Sequence, residues 1–598
     1  MRLSDYIIEF LANEGIKDVF TVVGGGSIWL CDSLSSSNKV NYVCCHNEMY
    51  ASIAAEAYAR ARSDIGAAIV TCGPGGTNTV TGVAGAWLDH VPHITISGQS
   101  FQSQTIPNCP GLRTLGVQEI NIVDIVRPVT KYAVMVTDPK LIKYHLEKAF
   151  YLAKNDRPGP VWLDIPGDVQ NAQIEPTDLV GFSPPNLFTH KKNSELAKIQ
   201  KVVNLLKDAK RPLIHIGHGV RLSGAIDDFF ALIEKLKIPF VTARNANDIV
   251  DSDHIYYVGR PGTYAQRGAN FAVQTCDLYI AIGTRLSLAQ TGYNSKDYAR
   301  NAKRVVVDID HAELNKKTMD ILLKIQLDAG EFIKGLIHKI PTMINNKIEW
   351  KNWLSQCKKW QKKYPVVLKD YENQDKFVNS YYFIDKLSEV LDEDSTVVTD
   401  MGFSFQNTHQ AFHVKNGQRL FTNCGLASMG WGLPASVGAC FGSGLKKTVL
   451  IAGEGGLMMT IGELATIMHH KLPVKIFIFN NGGYLTIKQT QEAGFDSKYM
   501  GINKSTGISF PNFEKLALAY DIPFIKISNQ KNLKNTINQI VYSDGPNICE
   551  LIMDENQETS PRIMKRKKPD GTMSQAPIED LYPFLNPEEL EENLNIAK

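Results

Sequence analysis

A chain of 598 residues, 43% apolar and 21% charged, has material for several packed cores, and its length points to three or four domains. The formal net charge is +2, and no apolar run reaches the ~20 residues of a bilayer-spanning helix, which argues against nucleic-acid and membrane partners. Met1-Arg2-Leu3-Ser4-Asp5-Tyr6 reads as the start of an amphipathic helix, not a signal or transit peptide. The ten cysteines lack metal-ligand spacing, so buried reduced thiols in a cytoplasmic protein are expected.

Residues 1–170 alternate helix and strand: a helix ending at Asn13, a strand over 19–23, a helix after Ser27, a strand over 40–45, a helix ending at Arg62 and a strand over 67–71. That pattern predicts a parallel sheet wrapped by helices. Two strands end in glycine turns, Gly24-Gly25-Gly26 and Gly73-Pro74-Gly75-Gly76-Thr77-Asn78. Glu48 sits where a strand gives way to a helix; taken alone, it is a charge stabilised by the helix dipole. Residues 171–195 carry Pro176, Pro184 and Pro185 and read as a linker. A second α/β domain is expected over 194–341, with Gly217-His218-Gly219 after one strand, a weak nucleotide signal. Residues 342–375 are rich in lysine and carry Trp350, Trp353 and Trp360, which suits a connecting helix packed on the surface.

A third α/β domain is expected over 376–560. A strand and turn end at Asp400-Met401-Gly402, and a glycine-rich run from Gly425 to Ala435 opens a helix of small residues. A strand over 448–452 leads into Gly453-Glu454-Gly455-Gly456, a helix over 461–470, a strand over 474–479 and then Asn480-Asn481-Gly482-Gly483. This is one βαβ unit with polar groups at the carboxyl ends of both strands, where parallel sheets bind ligands. Glycines admit a phosphate close to the backbone, and an acid plus an amide can share one hard cation. A diphosphate held through a magnesium-like ion is the physical reading. Residues 561–598, basic at 565–568 and acidic at 588–592, read as a solvated tail that folds over an opening.

The Gly453–Gly455 turn, roughly two dozen intervening residues and the Asn480-Asn481 pair resemble the signature of thiamine-diphosphate (ThDP) enzymes. The family's G-D-G is G-E-G here. The extra methylene moves the carboxylate by about 1.5 Å. Because Mg²⁺ takes a strict geometry, the ion is expected to sit differently, bind less tightly or give way to Mn²⁺ or Ca²⁺. The segments from Glu48 to Arg60 and from Gly73 to Asn78 resemble the aminopyrimidine-binding (PYR) half of the acetolactate synthase branch. The resemblance implies three doubly wound parallel-sheet domains: PYR, a central Rossmann-like domain and a diphosphate-binding (PP) domain.

By the same resemblance, Glu48 drives the aminopyrimidine tautomer and Gln118 contacts substrate. Gly25, Gly73, Pro74, Asn78, Gly402, Ser404, Ala427, Met429, Gly453, Gly455, Gly456 and Asn481 surround ThDP. Glu454, Asn481 and Gly483 hold Mg²⁺. Arg285 and Asp308 lie in segments that surround FAD in a structural role. PYR and PP halves meet across subunits, implying a homodimer or homotetramer. Several positions depart from the synthases: Val117 replaces an aromatic residue before Gln118, Ala289 replaces an arginine, and no tryptophan follows Gln491. The His-His pair of the decarboxylases is missing; His469-His470 lie inside the cofactor motif and cover its outer face.

The implied activity is decarboxylation of a 2-oxo acid, most simply pyruvate, with transfer of the two-carbon unit to a second carbonyl. A simple decarboxylase or lyase, transfer to a nucleotide-activated keto-sugar, and a non-catalytic scaffold stand as alternatives.

Overall fold

The computed structural model describes all residues except 107, 108, 110, 185–188, 341–346, 568–572 and 597–598. Three parallel sheets follow one another along the chain. The first holds β1 (Asp18–Thr21), β2 (Asn41–Cys44), β3 (Gly66–Val70), β4 (His93–Gln99), β5 (Tyr132–Met135) and β6 (Pro160–Pro166), in the order β2-β1-β3-β4-β6-β5. The central sheet holds β7 (Pro212–Ile216), β8 (Phe240–Thr242), β9 (Leu278–Ile282), β10 (Lys303–Val307) and β11 (Leu323–Ile325), in the order β11-β10-β9-β7-β8. The third holds β12 (Thr396–Thr399), β13 (Arg419–Phe421), β14 (Thr448–Gly453), β15 (Val474–Asn480), β16 (Phe524–Ile527) and β17 (Asn547–Ile552), in the order β13-β12-β14-β15-β17-β16.

The inner strands are buried because helices cover both faces of each sheet, and the polar side chains among them, such as Ser97, Gln99 and Asp164, bond one another. β3, β4 and β6 are buried at every position. Within β15, Lys475 is buried and its ammonium bonds the carbonyls of Ser543 and Gly545. The three doubly wound domains expected from the sequence are therefore present. No helix among the described residues is long and apolar enough to cross a membrane.

The first and third domains pack directly on one another. The Glu48–Arg62 helix lies against the Gly432–Gly442 helix so closely that a Cβ on Gly438 would sit 1.8 Å from the Ala54 carbonyl. At one end of this contact Arg60, 5% exposed, bonds Glu56, Asp89 (2.9 Å) and the Thr422 carbonyl (3.2 Å), while Trp431 Nε1 donates to Glu56 (2.5 Å). The ions are buried but each has partners, which is the condition for tolerating them.

Four expectations change. The Trp350, Trp353 and Trp360 helix (Ile348–Lys363) is part of the central domain: all three rings are buried, and the first two indoles donate to the Ala209 and Pro212 carbonyls. The expected linker starts as part of the first domain, since the Ile174 amide bonds the Met1 carbonyl at 2.9 Å; Pro185 lies outside the described residues, and the central domain's first helix begins at Thr189. The tail is packed over 576–582 rather than wholly solvated, while Glu588, Glu591 and Glu592 at its acidic end are exposed. Arg267 binds the Leu581 and Pro583 carbonyls, Asn270 that of Ile578, and Leu581 is wholly buried. Side-chain amides and a guanidinium on the Arg267–Thr275 helix satisfy the tail's backbone, and this lets an irregular segment lie buried. The basic run's residues 568–571, and Pro341 at the expected end of the central domain, lie outside the described residues. Finally, the ten cysteines are free thiols, but Cys44 is exposed rather than buried.

Candidate functional site

The third sheet's carboxyl edge gathers four glycine turns around two buried acids. Glu454 opens a short helix (Glu454–Met458) that the sequence pattern did not reveal, because glycines obscure its periodicity. Its carboxylate, 1% exposed, accepts the Gly483 amide at 2.6 Å, and burial pushes its pKa up to about 8. Asn480 and Asn481 divide their work. Asn480 donates to Glu550 (2.6 Å) and accepts the Gly482 amide (3.1 Å), fixing the turn. Asn481 is 7% exposed and its Oδ1 is buried with no partner.

An unpaired buried carbonyl oxygen carries a cost unless something binds it. Oxygen donors on Glu454, Asn481 and the Gly483 backbone, at one sheet edge, suit a hard cation such as Mg²⁺. Close contacts explain two of the glycines: a Cβ on Gly455 would fall 2.0 Å from the Tyr484 ring, and one on Gly456 would fall 2.9 Å from the Asp400 carboxyl carbon.

Asp400 is the residue the sequence reading passed over. It is fully buried at the end of β12, and its carboxylate accepts the amides of Met401 (2.6 Å), Gly430 (3.1 Å) and Gly432 (3.1 Å). One side chain thus pins two glycine turns. Burial raises its pKa to about 6. An acid followed by x-Gly at a strand end was the available signal. Around it, Gly402 has φ +92°, Ala427 takes a left-handed φ of 57° and is exposed, and Met429 is 37% exposed beside the turn. Ser404 is buried with its hydroxyl bonded to the Asp400 carbonyl at 3.1 Å. Gly453 has open space where a Cβ would point.

The first sheet's carboxyl edge is more open. Glu48 begins the Glu48–Arg62 helix, half-buried, and accepts from the Asn78 amide at 2.9 Å. A Cβ on Gly75 would come within 3.7 Å of its Oε1. Gly73, at φ +61°, lies under Gln118; a Cβ there would stand 2.6 Å from the Gln118 carbonyl oxygen. Glu48, Gly73, Asn78 and Gln118 are thus neighbours, and Pro74 is exposed beside them. Gly25 is exposed in the turn after β1, whose Gly26 amide bonds Thr71 Oγ1 at 3.0 Å. Val117 is 84% exposed.

A separate cavity of about 350 Å³ opens at the carboxyl edge of the central sheet, lined among others by His218, Arg244, Asn245, Arg285 and Asp308. The Gly217 and Gly283 turns meet there, so tightly that a Cβ on Gly217 would fall 2.2 Å from the Gly283 oxygen. Asn245 Oδ1 is buried without a partner. Burial raises the Asp308 pKa to about 6, while Arg285 is anchored to the Leu88 carbonyl at 2.9 Å.

Comparison with known proteins agrees with this geometry. Residues 1–124, 199–336 and 400–551 match, in order, the N-terminal TPP binding domain, the central domain and the C-terminal TPP binding domain of thiamine pyrophosphate enzymes. The chain is 31% identical to the acetolactate synthase large subunit of Cyanidium caldarium over 94% of each chain. It is 31% identical to the probable acetolactate synthase large subunit of Methanocaldococcus jannaschii over 93% of this chain and 92% of that one. Against the acetolactate synthase isozyme 2 large subunit of Escherichia coli the identity is 28%, over 97% of this chain and the whole of the other.

Proposed function

The chain belongs to the thiamine pyrophosphate enzymes, and from that premise we propose a ThDP-dependent carboligase of the acetolactate synthase kind. It takes a 2-oxo acid, most simply pyruvate, releases carbon dioxide and passes the two-carbon unit to a second carbonyl. The observation that carries this reading is the buried, unpartnered Asn481 Oδ1 beside Glu454 on an edge where glycines admit a diphosphate.

In this reading Glu454, Asn481 and the Gly483 carbonyl would hold Mg²⁺, which would supply charge to offset that of the diphosphate. Gly402, Ala427, Gly453, Gly455 and Gly456 leave the backbone free to approach the coenzyme. The Met429 side chain provides an apolar support. Glu48 would serve as the proton-exchanging carboxylate for the aminopyrimidine, with one of its oxygens held by the Asn78 side chain. Gln118 offers an amide to the substrate. ThDP, when bound, supplies the carbon nucleophile and the electron sink for loss of carbon dioxide.

The first sheet's edge leaves Val23 59%, Ile28 46% and Val117 84% exposed, an apolar rim that supports closure by a second copy of the chain in a homodimer. FAD is the coenzyme we assign to the central cavity, with Asn245, Arg285 and Asp308 as its polar contacts and no redox part in the reaction. A keto-sugar acceptor is the second reading, favoured by the small, open Val117 where the synthases carry an aromatic residue.

The test is carbon dioxide release from pyruvate with ThDP and Mg²⁺, followed by product analysis. Acetolactate from pyruvate alone supports the first reading. Product formed only when a sugar carbonyl is added supports the second, and acetaldehyde alone rejects both.

A further inference from the structure

Behind the Gln118 loop lies a buried polar network to which no role has been given. Asp164 stands on β6, 2% exposed, opposite Ser97 of β4. Its Oδ1 accepts from Ser97 Oγ at 2.6 Å, and Ser97 Oγ in turn accepts from Trp162 Nε1 at 2.8 Å. Its Oδ2 accepts from Gln99 Nε2 at 3.0 Å. The same Gln99 nitrogen donates to the Ile120 carbonyl at 3.0 Å, and Gln99 Oε1 accepts the Ser100 amide at 3.0 Å. Ser100 Oγ then donates to the Val117 carbonyl at 3.2 Å. The carbonyls on both sides of Gln118 therefore end in one network rooted at Asp164.

Gln118 needs such support. Its φ of 59° is left-handed, which costs a residue with a Cβ of order 1–2 kcal/mol and persists only where the surroundings over-determine it. Next to it, Glu119 is buried and accepts the amides of Ile106 (3.0 Å) and Leu115 (3.1 Å), closing the loop from the other side. Burial, with some repulsion from Glu119, lifts the Asp164 pKa to about 7.

We propose that Asp164 is a positioning residue for catalysis: through Gln99 and Ser100 it holds the 117–120 backbone so that the Gln118 side chain faces substrate. This rests on the reading of Gln118 as a substrate contact. The experiment uses the full-length enzyme with ThDP and Mg²⁺, carrying Asp164→Asn, Ser100→Ala and Gln118→Ala singly and in pairs.

Asp164→Asn should lower kcat/KM for pyruvate about tenfold and Ser100→Ala about threefold, with ThDP affinity by calorimetry unchanged. In the Gln118→Ala background each further loss should fall below twofold, because residues acting through one another are not additive. Amide hydrogen exchange over 117–120 in the coenzyme-free protein should speed up in both variants. Full additivity, or exchange that stays as slow as in the parent protein, overturns the proposal. Ser100→Ala, at a partly exposed site, keeps the test open if Asp164→Asn does not fold. Gln118→Ala with unchanged kcat/KM removes the substrate contact and the proposal with it. A parent protein that binds no ThDP instead overturns the carboligase reading.

Discussion

The two glycine-lined edges are built from the same parts, parallel strands ending in glycine turns with acids at the heart, yet they differ in burial. At the third sheet, Glu454, Asp400 and Asn481 are 1%, 0% and 7% exposed, and both acids have raised pKa values. At the first sheet, Glu48 is half-buried and Pro74, Asn78 and Gln118 are exposed. A buried, hydrogen-bonded edge contrasts with an open rim. The lesson is a division of labour. Under the proposed function, the dry edge with its fixed oxygens suits a diphosphate and its cation, and the open edge suits a ring that substrate must approach.

The largest effect expected from this contrast is at the open edge. Glu48→Gln should reduce carbon dioxide release from pyruvate about a thousandfold, the middle of the range for loss of a proton-exchanging group, while ThDP affinity by calorimetry stays within about threefold. Equal losses in rate and affinity would merge the two edges into one binding surface and remove the contrast.

The joint between the two domains comes next. Arg60→Ala leaves Glu56 and Asp89 buried without their cation, which should cost about 3–5 kcal/mol. Thermal unfolding should show this as a lower midpoint. An unchanged midpoint would mean that the helix contact alone holds the domains together.

At the dry edge, Glu454→Ala should weaken Mg²⁺-dependent ThDP binding about a hundredfold, or about 2.8 kcal/mol, and Asn481→Ala about tenfold. Glu454→Asp tests reach: a carboxylate withdrawn by about 1.5 Å that binds Mg²⁺ as tightly as the parent shows that the longer side chain is not required. Titration calorimetry with Mg²⁺ and ThDP reads all three.

The smallest effect is a pH slope. Asp164 keeps its proton in the folded protein up to about pH 7 and gives it up near pH 4 when unfolded. The folded state is thus favoured below the unfolded value, and this contribution fades as pH rises toward 7. The slope is at most about 1.4 kcal/mol per pH unit. Glu119 and Cys72 face the same group and share its field. Unfolding midpoints between pH 4 and 8 should fall less steeply with rising pH in Asp164→Asn than in the parent protein.

The sequence by itself determined the fold class and the order of the three α/β domains. Apolar runs separated by helical periods predict parallel sheets, and the glycines beside Glu454 and Asn481 mark the carboxyl ends of two strands of the third one. These are local signals, carried by residues within one βαβ unit. Only the tertiary structure decided the rest. Asp400 pins turns drawn from residues 401, 430 and 432. Asp164 reaches the Gln118 loop through a different strand. The tail is packed over 576–582 because side chains on a helix some three hundred residues earlier satisfy its backbone. A hydrogen bond depends on which atoms meet in space, and no spacing along the chain encodes that meeting.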